Sequence, residues 1–275
     1  MPFLEIQSER FHYECTGTGL PLIFQHGLGA DIQQPLSFST TLNGWRMVSM
    51  DCRGHGCTEA GIDTERLSFS QFAEDLAKLL DHLAIERAVF GGISMGAGVA
   101  LALAIAHPER VAGLILIRPA WLDSPFPNNL RWFPHAARLL EAYPRNEAED
   151  IFRQSSDYAE LQAESAASAR SLMGQFQRPR ARERAVVLAV MPGSVPVSNL
   201  GLCRRVKVPT LVVVNERDPL HPAVMGEKLA ATIPDATLRQ ITSKTESEIL
   251  HRAELDHALS EFLGPLQRLL SPSFV

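Results

Sequence analysis

The stretch Phe90-Gly91-Gly92-Ile93-Ser94-Met95-Gly96-Ala97-Gly98 decides how this chain is read. An apolar run, Ala88-Val89-Phe90, leads into it, and a helix-forming segment from Met95 to His107 follows. Ser94 therefore sits on a sharp turn between strand and helix, with Gly92 and Gly96 beside it because a Cβ would clash in so tight a bend. The helix that begins at Met95 aims its positive end and free N–H groups at the serine. A dinucleotide site is excluded, since Leu101 stands where the phosphate-binding pattern requires glycine. A serine hydroxyl is a weak nucleophile until a base removes its proton. The stretch thus sets a search for that base.

On either side of the turn, short apolar strands alternate with helices. Pro21 to Gln25, Arg46 to Met50 and Val111 to Ile117 read as strands, and Phe72, Leu76, Leu79, Leu80 and Leu83 recur at helical spacing. Pro108 closes the helix that follows Ser94. The pattern resumes with a strand at Thr210 to Val214, a helix over 222–232, a strand at Ala236 to Ile241 and a long C-terminal helix. Leu255, Leu259, Phe262, Leu266 and Leu269 form the stripe of that last helix. Strands apolar on both faces and separated by helices predict an α/β fold, a mostly parallel sheet with helices on both faces. Residues 122–205 break the alternation. They are rich in Ala, Arg, Glu and Gln and read as helical over 130–143 and 147–176. The chain divides accordingly into a core of 1–121 and 206–275 and a helical insertion of 122–205, expected above the edge of the sheet as a cap.

Composition narrows the function. The 275 residues are 45% hydrophobic and 21% charged, with 26 Lys and Arg against 31 Asp and Glu. No basic face points to nucleic acid. The longest apolar run, Ala97 to Ala106, is too short for a bilayer, and the first ten residues, with Glu5 and Glu9, do not read as a signal peptide. Cys15, Cys52, Cys57 and Cys203 lack metal-ligand spacing, so they read as free thiols of a cytoplasmic protein that needs no metal or cofactor. The oligomeric state stays open, a homodimer included.

Three motifs resemble the α/β-hydrolase superfamily: His26-Gly27-Leu28-Gly29 its HGxG turn, Asp51-Cys52-Arg53-Gly54-His55-Gly56 its DxRGxG turn, and Gly92 to Gly96 its nucleophile elbow. The resemblance covers the whole chain and puts 122–205 at the position of the family's cap. It implies Ser94 as nucleophile and the backbone N–H groups of Leu28 and Met95 as the oxyanion hole. His26 reads as a histidine that pins its turn. The resemblance also implies Asp218 as the acid, because Asp218 to Pro222 matches the family's D-x-x-x-P after the strand Leu211 to Val214.

The base is harder to place. His107 lies 107 − 94 = 13 residues up the helix from Ser94, roughly 20 Å away at the α-helical rise. His12, His82 and His257 belong to distant elements, His26 and His55 to turns, and His135 to the insertion. His221 stands near the right edge of the sheet but reads as the start of the helix after it. The family's usual base follows the last strand, and Lys244 falls close to that position. The only histidine of the segment is His251, four residues before Leu255 on the inward stripe. His251 is therefore the expected base, with Lys244 as the alternative, since burial can turn a lysine into a base.

These readings describe a serine hydrolase that cleaves a small, mostly apolar ester, lactone or thioester through an acyl-enzyme on Ser94. Trp132 and Phe133, with Phe152, Tyr158 and Phe176, are the candidates for an apolar pocket. C–C bond hydrolysis and perhydrolysis on the same serine remain open. So does a ligand-binding sensor with little turnover, which Lys244 at the usual base position keeps in view.

Overall fold

A computed structural model of the chain describes residues 2–38, 42–60 and 62–271. The remaining residues of the expected core, 1, 39–41, 61 and 272–275, lie outside the described ones. Eight strands form one sheet: β1 (Phe3–Ile6), β2 (Glu9–Thr16), β3 (Leu20–Gln25), β4 (Trp45–Met50), β5 (Ala88–Ile93), β6 (Val111–Ile117), β7 (Thr210–Asn215) and β8 (Ala236–Ile241). Their order is β1-β2-β4-β3-β5-β6-β7-β8. β1 pairs antiparallel with β2 and β2 with β4, and every later pair is parallel. The mostly parallel sheet expected from the apolar strands is present, with an antiparallel hairpin added at one edge.

Successive residues of β6 show why these strands are apolar throughout. Leu114 and Leu116 enter one core cluster, while Ile115 and Ile117 enter the other on the opposite face. On the first face lie α2 (Phe69–His82) and α3 (Met95–Ala106). Ser68 starts α2 by accepting the Gln71 N–H, and Phe72, Leu76, Leu79 and Leu80 form its buried face. α3 is buried along most of its length, which explains a helix apolar all round. α1 (Gln33–Leu36) and α10 (Glu248–Leu270) cover the second face. In α10, Leu263 rather than Phe262 joins Leu255, Leu259 and Leu266 in the buried set, and Leu269 is exposed.

Residues 122–205 hold α4 (Trp132–Ala142), α5 (Arg145–Arg153), α6 (Ser156–Glu164), α7 (Ala166–Met173) and α8 (Ala185–Val190). The single helix expected over 147–176 is cut into three. Ser155 and Ser165 adopt extended backbone and accept the N–H groups of Tyr158 and Ser168, so each ends one helix and caps the next. α9 (Ala223–Thr232) then connects β7 to β8. Among the described residues, no helix is long and apolar enough to cross a membrane.

Candidate active site

The elbow is built by close approach. Ser94 has φ 58° and ψ −112°, a conformation that costs a non-glycine residue energy and survives only where its surroundings enforce it. A Cβ on Gly92 would lie 2.1 Å from the Gly96 carbonyl carbon, and one on Gly96 would lie 2.2 Å from the Gln25 oxygen. The Ser94 N–H donates to Ile117 O at 2.9 Å, which ties the elbow to the end of β6.

The turn after β3 rests against the elbow. A Cβ on Gly27 would sit 3.6 Å from Ser94 Cβ. His26 pins this turn: its Nε2 accepts the Cys52 N–H at 3.1 Å and its Nδ1 donates to Gly27 O at 2.9 Å. Burial pushes the His26 pKa down, so the ring is neutral. Gln34 Oε1 accepts the Gly27 N–H at 2.7 Å. Among the described residues no backbone carbonyl takes the N–H of Leu28 or Met95.

After β7 the chain makes a tight turn, Asp218-Pro219-Leu220-His221, closed by the His221 N–H donating to Asp218 O at 3.0 Å. Proline at the second position suits such a turn, because its fixed φ is the one required there. The closure brings the two side chains together, and His221 Nδ1 lies 3.0 Å from each Asp218 oxygen. Asn129 Nδ2 holds the turn from the other side, donating to Leu220 O at 2.9 Å and Ala120 O at 3.1 Å. The far nitrogen of the ring, His221 Nε2, is 2.9 Å from Ser94 Oγ.

Two further groups hold the carboxylate. Ser168 of α7 donates its hydroxyl to Asp218 Oδ1 at 3.0 Å, and Arg118 Nη1 approaches Oδ2 at 3.3 Å. Burial alone would push the Asp218 pKa up. The charge and hydrogen bond of His221, then Arg118 and Ser168, bring it well below the usual carboxylate range. His221 is pushed down, chiefly by burial, against the pull of Asp218. A neutral imidazole between a carboxylate and a serine hydroxyl is suited to accept the hydroxyl proton.

The structure thus brings Ser94 and Asp218 to one site, with His221 and not His251 between them. His251 lines the neighbouring cavity, but its Nδ1 donates to Thr242 O at 2.8 Å, which commits the ring to the loop after β8. Burial first, then Arg118, lowers the His251 pKa to about 4. Lys244 lines the same cavity, and among the described residues the side-chain partner of Ser94 Oγ is His221 and not Lys244. Trp132 and Phe133 are also displaced from their expected role. Both are buried in the core of the helical layer and neither lines the cavity beside Asp218 and His221. Aromatic residues on amphipathic helices find core partners first, and Phe152, Tyr158 and Phe176 likewise pack with one another.

That cavity, about 620 Å³, is not the apolar pocket the aromatic residues suggested. Phe38, Ile117 and Leu255 supply apolar wall, while Arg118, Arg170, Lys244 and Arg252 supply cations. α7 forms part of the wall, so the inserted segment reaches the site. Elsewhere, His12, Asp51 and Cys57 lie close enough to share a metal ion, their ligand atoms within 4.8 Å of one another. Asp51 is already occupied there. It accepts from His12 Nδ1 at 2.7 Å, from the Ile32 N–H at 2.9 Å and from the Cys57 N–H at 2.7 Å.

The profile of the α/β hydrolase fold matches residues 21–244 of the chain. The chain belongs to the α/β hydrolase fold family. Among its relatives in that family is "Putative carbamate hydrolase RutD" of Variovorax paradoxus, 30% identical over 89% of this chain and 94% of the relative. Another is 2-hydroxymuconate semialdehyde hydrolase of a Pseudomonas species, 32% identical over 51% of this chain and 54% of the relative. Among solved structures, a thermophilic esterase from Thermogutta terrifontis aligns over 94% of both chains with TM-score 0.72 and 25% identity. An enol-lactonase from Burkholderia xenovorans shares the fold over 96% of this chain and all of its own, with TM-score 0.74 at 22% identity.

Proposed function

We propose that the protein is a serine hydrolase that cleaves a small carboxylic ester, lactone or thioester through an acyl-enzyme on Ser94. The observation that carries this reading is the contact of His221 Nε2 with Ser94 Oγ at 2.9 Å, with Asp218 on the opposite nitrogen. In the forward step His221 takes the hydroxyl proton as Ser94 Oγ bonds to the substrate carbonyl carbon. The carbonyl oxygen becomes an oxyanion, and in this reading the N–H groups of Leu28 and Met95 receive it. His221 then gives the proton to the departing alkoxide or thiolate as the acyl bond to it breaks. Water repeats the sequence, with its proton passing to His221 and back to Ser94, and the acid is released. Asp218 keeps the ring in the tautomer that presents a bare Nε2. The helices of 122–205 serve in this reading as a cap, with Ser168 bracing the acid from above.

The sensor alternative rested on Lys244 at the usual base position, and the contact of His221 with Ser94 Oγ favours the hydrolase reading over it. A fluorophosphonate probe tests the nucleophile. Intact mass should rise by one adduct, peptide mapping should find it on Ser94, and Ser94→Ala should neither label nor hydrolyse a short-chain nitrophenyl ester. Absence of labelling and of turnover in the unaltered protein would overturn the reading.

A further inference from the structure

In this structure the base stands three residues after the acid, so the loop after β8 is released from the duty the family resemblance gave it. Lys244 occupies that loop and lines the cavity beside His221. The other cations of the cavity have partners: Arg118 with Asp218 at 3.3 Å, Arg170 with Glu248 at 2.6 Å, and Arg252 with Asp256 at 2.8 Å. Among the described residues Lys244 has neither an ion pair nor a hydrogen bond. Arg118 is only partly engaged, because its Nη1 reaches Asp218 while its buried Nε has no hydrogen-bond partner. The cavity is therefore lined by an unpaired ammonium and by a guanidinium that lies 3.3 Å from Asp218 and keeps one buried nitrogen unsatisfied.

Buried or crowded cations are costly unless something of opposite charge meets them. Here the crowding is visible. Lys244 is an exposed residue at the cavity, yet desolvation first and Arg118 next push its pKa down to about 8. The acids that face it, Asp218 and Glu248, are already paired with His221 and Arg170. An incoming carboxylate would relieve this repulsion by pairing with Lys244 beside the Arg118 guanidinium.

We infer that the substrate of Ser94 carries a second, ionised carboxylate, which Lys244, with the Arg118 guanidinium beside it, holds while the ester or thioester carbonyl lies at Ser94. The inference deepens the hydrolase reading above and rests on it for the reacting bond, but the anion site can be tested without turnover. The substrate is then a monoester, or its thioester or lactone counterpart, of a short dicarboxylic acid. A volume of about 620 Å³ holds a chain of that size with room for its leaving group.

Two measurements decide it. The first compares methyl hydrogen glutarate with methyl valerate, which has the same acyl length but no second carboxylate. The unaltered protein should favour the charged ester about tenfold in kcat/KM, about 1.4 kcal/mol. Lys244→Met should collapse that ratio through a rise in KM for the charged ester, and Lys244→Arg should restore it. Lys228→Met, which removes an exposed cation of α9 outside the cavity, should leave the ratio unchanged. The second measurement is calorimetric titration of glutarate into Ser94→Ala, with and without Lys244→Met. Glutarate binding that is lost with Lys244 supports the anion site even if no ester is cleaved, and in that case the hydrolase reading fails alone. Ester cleavage with equal preference, or glutarate binding indifferent to Lys244, overturns the anion site and leaves the hydrolase reading intact.

Discussion

Asp218 and His221 face each other across a single backbone turn, and the ring they share with Ser94 spans 3.0 Å to the acid and 2.9 Å to the hydroxyl. In the proposed mechanism, acid and base are thus set by one local closure, the His221 N–H on Asp218 O, instead of by the docking of two separate loops. Short closure costs little chain entropy, and Pro219 and Pro222 stiffen both ends. The price in design freedom is that Asp218 must be held from outside the turn, by Ser168 and Arg118.

The first prediction separates the two histidines. His221→Ala should lower kcat on a nitrophenyl ester by about 10³-fold or more, because a base of this kind contributes 10²–10⁴-fold and its loss also idles Asp218. His251→Ala should leave the acyl-transfer step running, with any loss traceable to the loop that Thr242 anchors. Rapid-mixing kinetics that found the larger loss in His251→Ala would reverse the assignment.

The pH profile follows from which form of the ring is needed. His221 must be neutral to accept a proton, and its pKa lies below the ordinary 6.5 because burial outweighs Asp218. For a neutral ester, kcat/KM should therefore rise with pH along a limb centred below 6.5 and be level at neutrality. A carboxylate ester should behave differently on the alkaline side. Lys244, whose pKa desolvation first and then Arg118 and Arg252 lower to about 8 against Asp218 and Glu248, loses its charge through that range, so KM for that ester should climb above this pH. A profile for the neutral ester still rising through pH 7.5 would contradict the placement of His221.

The fold was legible because its signals are local. Gly92 and Gly96 are demanded by backbone contacts of 2.1 and 2.2 Å, and the all-apolar β6 declares a strand buried on both faces. The proposed base was less legible because a helix start and a turn partner look alike in sequence. His221 stands directly before Pro222 and α9, and the clue was its i,i+3 spacing from Asp218 with proline between them. The cationic cavity was not legible at all. Arg118, Arg170, Lys244 and Arg252 come from four segments, and only the closed fold brings them to one wall.

Ser168 offers a test of how the inserted helices support the site. Its hydroxyl is a neutral donor to a buried carboxylate, a bond worth about 1.5–3 kcal/mol. Ser168→Ala should lower kcat about tenfold with little change in KM for a neutral ester, and Ser168→Thr should recover most of it. The acid limb of the pH profile should also move, since an Asp218 less firmly held alters the His221 pKa. An unchanged limb with an unchanged kcat would assign Ser168 to packing alone.

Stability should fall as the solution is made mildly acidic. His26, His55, His221 and His251 are all held below the ordinary histidine pKa by burial, His251 at about 4. Above 6.5 neither the folded nor the unfolded chain protonates them, and their full contribution is present. As pH drops through 6.5 the unfolded chain takes up protons that the folded chain refuses, so each such histidine weakens folding by up to about 1.4 kcal/mol per pH unit. Asp218 works in the same direction, but its contribution starts to be lost only as pH falls into the ordinary carboxylate range, because its folded pKa is lowered. Urea midpoints at pH 7.5, 6.0 and 5.0 should therefore decline steadily, above the range where most carboxylates titrate. His251→Gln, which removes one of the four groups, should make the decline shallower. A midpoint constant from pH 7.5 to 5.0 would mean that these rings gain protons in the folded state as readily as in the unfolded chain.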